Sequence, residues 1–158
     1  ATATGTGSRF VLLGSIAAQT PIAFSAVYSA SKAAASGFLE AAGYELDMLG
    51  HTWCIVDVGG VNTGFNEVGH SEGLGTVNVS EAFSSVGYRI HSRNGLEPEV
   101  VARKLAEIAT APRVRHKYTL GVKASVAALI GRVFGMWGRR ALVSASLLDR
   151  GVTLRRSR

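Results

Sequence analysis

The sequence predicts an α/β fold built on a parallel sheet, and three observations predict it. Residues 9–13 (RFVLL) and 51–58 (HTWCIVDV) are short apolar runs that end at glycine, as strands buried on both faces do. Residues 26–49, between them, are rich in alanine, free of proline and apolar at helical spacing. Strand, long helix and strand in one sheet make a βαβ unit with a right-handed crossover.

The elements follow in chain order. Residues 1–8 are small and polar, with Gly5 and Gly7, and read as a loop, as do residues 16–24 around Pro21. Ser25 stands where a helix cap is expected. The helix after it carries Ala30, Ala34, Phe38, Ala41, Ala42, Leu46 and Leu49 at helical spacing, and Gly50 is its expected stop. Residues 61–94 are rich in Gly, Asn and Ser; so long a connection is a functional loop or carries short helices. Residues 97–111 return to helix, with Val100, Val101, Leu105 and Ile108 facing one way. Pro98 suits the first turn, Glu97 and Glu99 suit the positive dipole end, and Pro112 stops the helix. Residues 116–121 are a third strand. Residues 122–148 are a final helical region, striped by Val126, Leu129, Ile130, Val133, Phe134 and Trp137 and weakened by Gly131, Gly135 and Gly138.

Composition removes several classes. The 158 residues suffice for one domain. A hydrophobic share of 47% against 18% charged excludes intrinsic disorder. Cys54 is the lone cysteine, which excludes a disulfide framework and a thiolate zinc site. The four histidines show no metal-ligand spacing. No secretory signal pattern opens the chain, and no apolar run approaches 20 residues. The net charge of +6 is uneven: residues 1–102 carry −5, and residues 103–158, with thirteen Lys/Arg against two acids, carry +11. The simpler reading of that basic end is a solvated extension, and the alternative is a nucleic acid or anionic membrane partner. Residue 1 is Ala and the first Met is Met48, so the chain is expected to be a fragment.

The chemistry gathers around three residues. Tyr28 and Lys32 are four apart on the long helix and share a face. Ser15 ends the strand before it, thirteen residues upstream of Tyr28. Ligands of open α/β sheets lie beyond the carboxyl ends of strands, and Ser15 and the loop after Val58 stand at two such ends. Interconverting a carbonyl and an alcohol needs a proton donor or acceptor at the reacting oxygen. A free tyrosine, titrating near pH ~10, is a poor base at neutral pH. A neighbouring ammonium favours tyrosinate. A serine hydroxyl can hold the same oxygen. No side chain is a hydride source, so a nicotinamide cofactor is implied.

Ser15, the step to Tyr28 and the Tyr28-Ser-Ala-Ser-Lys32 segment resemble the active-site signature of the short-chain dehydrogenases/reductases. Residues 10–18 resemble their fifth strand and catalytic-serine loop, residues 28–46 their catalytic helix, and residues 55–63 their sixth strand and nicotinamide-contacting loop. Residues 97–111 with 118–121 resemble their late helix and seventh strand. The resemblance spans residues 5–121. It implies a partial Rossmann-like, doubly wound parallel sheet, the C-terminal half of the family's domain, with residues 122–158 as a basic helical C-terminal extension.

It further implies Tyr28 as general acid/base, Ser15 as binder of the substrate oxygen, and Lys32 as the charge that favours tyrosinate and holds the nicotinamide ribose. Tyr28, Lys32, Gly59, Val61 and Thr63 would contact NAD or NADP. Residues 61–94 would be a substrate lid, its apolar content favouring a lipophilic alcohol or ketone. The small-residue flank of the catalytic helix, residues 33–37, would support a homodimer. The location expected is cytoplasmic; the Val126–Trp137 stripe, with Lys123, Arg132, Arg139 and Arg140 nearby, has the pattern of an interfacial helix in contact with a membrane surface, the alternative being a helix packed on the core.

Two departures stand out. Val58-Gly59 replaces the family's Pro-Gly. The glycine-rich strand–loop–helix that cradles the pyrophosphate has no counterpart; Thr4-Gly5-Thr6-Gly7 resembles it superficially but precedes a strand with no helix after it. The alternative function is therefore a catalytically silent fragment or interaction module. A Ser15–Asp57–His70 hydrolase triad is disfavoured because no G-x-S-x-G elbow surrounds Ser15.

Overall fold

The computed structural model describes residues 7–23, 25–63 and 95–148, without the side chains of 146–148. Three strands, β1 (Arg9–Ser15), β2 (Thr52–Val58) and β3 (Lys117–Leu120), form a parallel sheet in the order β1-β2-β3. The helices are α1 (Ala26–Met48), α2 (Pro98–Thr110), α3 (Val122–Val133) and α4 (Gly135–Leu148), with a 3-10 turn at Ile16–Ala18.

The central strand β2 is buried from Trp53 to Val58, which explains its nearly unbroken apolar sequence. Successive side chains point to opposite faces of a strand. Cys54, Val56 and Val58 accordingly pack with Val101 and Ile108 of α2. Trp53 and Ile55 pack with Leu39 and Leu46 of α1. The sheet is thus covered on both faces, as a doubly wound fold requires. Burial pushes the Cys54 thiol pKa up, which disfavours the thiolate.

Both ends of the βαβ unit are fastened. α1 stops where Gly50 adopts φ +75°, with His51 N–H donating to the Leu46 carbonyl (2.9 Å) and Gly50 N–H to that of Asp47 (3.1 Å). Arg9, at the start of β1, reaches under α2. Its Nη1 donates to the carbonyls of Ile108 (3.0 Å), Ala109 (2.8 Å) and Ala111 (2.6 Å), satisfying orphan acceptors at the negative end of that helix.

β1 continues past its apolar run and ends at Ser15, as expected, with Gly14 and Ser15 pairing with Asp57 and Val58. Other expectations are corrected. Ser25 makes no side-chain cap bond; Ser29 Oγ instead accepts from Ile22 N–H at 3.2 Å. The buried face of α1 is Ser29, Ser36, Leu39 and Gly43, while Ala30, Ala34, Phe38, Ala41 and Leu49 are exposed. Small residues face inward because the helix lies close to the sheet: a Cβ on Gly43 would stand 2.2 Å from the Trp53 ring. The final helical region is two helices, α3 and α4, which break at Phe134 and Gly135, where φ is +56°.

Gly43→Ala is expected to destabilise the protein by about 1–3 kcal/mol, because the new methyl overlaps the indole. Gly37→Ala, with nothing within 4 Å of its would-be Cβ, is expected to stabilise by about 0.5–1 kcal/mol. Urea midpoints followed by tryptophan fluorescence measure both.

Candidate functional site

The register brings the carboxyl ends of the strands level. Ser15 pairs with Val58, and Val58 pairs with Leu120. Gly59 N–H continues the ladder to the Leu120 carbonyl at 3.1 Å. Ser15 is buried at the tip of β1, where its Oγ accepts from Ala17 N–H at 3.2 Å and starts the 3-10 turn. That bond uses an acceptor site and leaves the hydroxyl proton to donate elsewhere. The turn packs against α1, whose opening turns carry Tyr28 and Lys32, both half-buried. Lys32 Nζ stands over the Tyr28 ring, 5.8 Å from its centroid, within the range of a cation–π contact.

The loop after β2 is held by residues 95–97. Val61 and Leu96 form a parallel bridge, with Asn62 N–H donating to the Leu96 carbonyl (2.9 Å) and Leu96 N–H to that of Gly60 (2.8 Å). Asn62 Nδ2 donates to Glu97 Oε1 at 2.5 Å, and Asn62 Oδ1 is buried without a partner. Thr63 N–H donates to the Val61 carbonyl at 2.9 Å. All six expected site residues therefore lie at or just beyond one end of the sheet or in the helix that starts there. α3 crosses that end: a Cβ on Gly59 would stand 3.0 Å from that of Ala124, and one on Gly131 would stand 3.5 Å from Thr20 Oγ1.

Gly7 lies at the other end. It abuts the carbonyl of Gly50, and Ser8 N–H donates to His51 Nδ1 at 3.0 Å, beside the first residues of β1 and β2. Residues 4–6 of the Thr-Gly-Thr-Gly segment, expected to be a loop, lie outside the described residues. The expected lid over residues 64–94, with His70, lies outside them too.

Asp57 is the residue whose part sequence reasoning missed. It is fully buried on the α1 side of β2, directly below the Ser15 turn. Oδ2 accepts from Gln19 Nε2, and Lys117 Nζ lies 3.7 Å away, itself 3.2 Å from Glu40 of α1. Oδ1 has no partner and fills the space left by the missing Cβ of Gly14. The available signal was an acid inside an otherwise apolar strand, which the sequence reading weighed only as a triad member. Burial pushes its carboxyl pKa above the ordinary carboxylate value, against the opposing pull of Gln19 and Lys117.

The short chain dehydrogenase family model matches residues 2–72, a span that contains Ser15, Tyr28, Lys32, Gly59, Val61 and Thr63. No curated protein matches the chain. Among solved structures, a short-chain dehydrogenase from Streptomyces avermitilis is similar, with a TM-score of 0.62 and 21% identity over 90% of this chain and 52% of that one. At this identity the likeness is one of fold, and the chain spans about half the length of that structure.

Because the folded state binds the Asp57 proton more tightly than the unfolded chain, stability is expected to fall as pH rises from the ordinary carboxylate value through the raised one. Asp57→Asn is expected to flatten that slope. Urea unfolding of both proteins between about pH 4 and pH 8 tests it; parallel slopes would remove Asp57 as the cause.

Proposed function

We propose, from the match of residues 2–72 to the short chain dehydrogenase family model, that this chain supplies the catalytic half of an oxidoreductase that interconverts an alcohol and a ketone with NAD or NADP. The observation that carries the reading is the level pairing of Ser15 with Val58, beside a helix that presents Tyr28 and Lys32 one turn apart. Ser15 donates its free proton to the substrate oxygen and holds it in place. Tyr28 gives a proton to that oxygen on reduction and takes it back on oxidation. The Lys32 ammonium beside the ring offsets the phenolate charge between those events. Together they move a proton at one oxygen atom.

A nicotinamide, when bound, supplies or accepts the hydride. The residues present fit its reactive end. Lys32 suits the ribose, and Gly59, Val61 and Thr63 suit the ring side, where the orphaned Asn62 Oδ1 is an acceptor that a carboxamide N–H would satisfy. The pyrophosphate end is not served: among the described residues no glycine-rich loop leads from a strand into a helix at the carboxyl end of the sheet. That observation favours a second reading, in which this chain alone is catalytically silent. A lipophilic substrate and a homodimer through α1 belong to the same proposal, the latter supported by the exposed Phe38 beside Ala34.

In a protein that joins this chain to a dinucleotide-binding half, Tyr28→Phe is expected to cut turnover by about 10²–10⁴-fold and leave the circular dichroism unchanged. Full activity in that variant would sink the reading. For the chain alone, titration with NADH and NADPH under nicotinamide fluorescence is expected to show no saturable binding; tight binding would overturn the silent reading.

A further inference from the structure

The α3–α4 hairpin is inverted relative to an ordinary surface helix pair. At 3.6 residues per turn, Val122, Val126, Leu129 and Val133 of α3 fall within about 60° of one another. All four are exposed, Val122 by 83%. The buried positions Ala124 and Gly131 lie on the opposite side of the helix. The helix therefore turns its small residues toward the protein and its large apolar ones outward. Past the bend the exposed series continues through Phe134, Met136 and Trp137, the last 83% exposed. An uncovered apolar stripe of this kind marks a docking face.

Charge selects the occupant. Lys123 and Arg132 flank the α3 stripe about 90° to either side, and Arg140 falls within about 60° of Trp137 around α4, all three exposed; Arg139 packs instead against Gly131 on the covered side. No acid occurs between Glu107 and Asp149. A second copy docking by a two-fold axis would set these cations against themselves with no acid to offset them. A nucleic acid would use the cations and leave the apolar stripe uncovered. α3 has 12 residues, and no helix among the described residues is long and apolar enough to cross a membrane. A stripe of aliphatic residues edged by cations, with a tryptophan at its end, suits a helix lying in the plane of a bilayer interface. We propose that the α3–α4 hairpin is a peripheral docking face for an anionic lipid bilayer. This inference does not depend on the proposed catalysis, and its test does not measure turnover.

The test is flotation of the 158-residue chain with vesicles of phosphatidylcholine alone or with phosphatidylserine, alongside tryptophan emission. Binding to the phosphatidylserine vesicles and a blue shift that Trp137→Phe abolishes are expected; buried Trp53 contributes no shift. The pair Arg132→Gln and Arg140→Gln is expected to weaken binding by about 25-fold, from about fivefold per cation. The pair Leu129→Ser and Val133→Ser, at exposed positions, is expected to abolish the shift with unchanged circular dichroism. Failure to float with phosphatidylserine vesicles overturns the proposal. So does sedimentation showing a lipid-free dimer that the serine pair dissociates, or binding to a DNA duplex as tight as to vesicles and unaffected by the serine pair.

Discussion

The structure depends on one strand being buried on both faces. From Trp53 to Val58, β2 has no solvent side, so each successive residue must satisfy a different layer: the α1 side at Trp53 and Ile55, the α2 side at Cys54, Val56 and Val58. Burying one such aliphatic side chain is worth about 1.5–3 kcal/mol. A slip of one residue would exchange the two faces along the whole strand. Because β1 and β3 both pair with this strand, fixing β2 also fixes Ser15 beside Val58 and Leu120 at one level. The candidate site is a consequence of that register: a serine, a helix start and a glycine-containing loop meet because three strands end together.

Asp57 is the exception inside that strand. It stands where an apolar residue would pack most cheaply, and its charge is only partly answered by Gln19 and Lys117. The carboxylate ties the turn after Ser15 to the central strand, and Gly14 leaves it room. Local rules are broken most often where a fold supports chemistry, and this acid lies one residue from the paired tip of β2. The structure thus places a destabilising group next to the residues that the proton-transfer reading needs, and the clamp from Arg9 to α2 secures the opposite end of the sheet.

Much of this was legible before any coordinates. The short apolar runs and the helical period between them are local patterns, and local patterns survive folding. The Ser15, Tyr28 and Lys32 spacing, with the loop at Gly59, Val61 and Thr63, was equally legible, because a βαβ unit allows few ways to bring a strand end and a helix start together. What misled were inferences about faces. The alanines of α1 looked like its core stripe, yet the contact side holds Ser29, Ser36, Leu39 and Gly43, chosen by how near the Trp53 indole comes. Likewise the stripe from Val126 to Trp137 fits a packed core helix and an interfacial one equally well by spacing alone.

By itself the sequence determined the βαβ order, the spacing of Ser15, Tyr28 and Lys32, and the basic character of the last third, since each rests on residue type and separation along the chain. The tertiary structure alone decided which side of each helix is covered, that Asp57 is buried against Gly14, and that the last helical stretch bends at Gly135 and leaves its large apolar residues uncovered. Periodicity says that a helix has an apolar side; only the neighbour that packs there, with its shape and distance, says which side faces in.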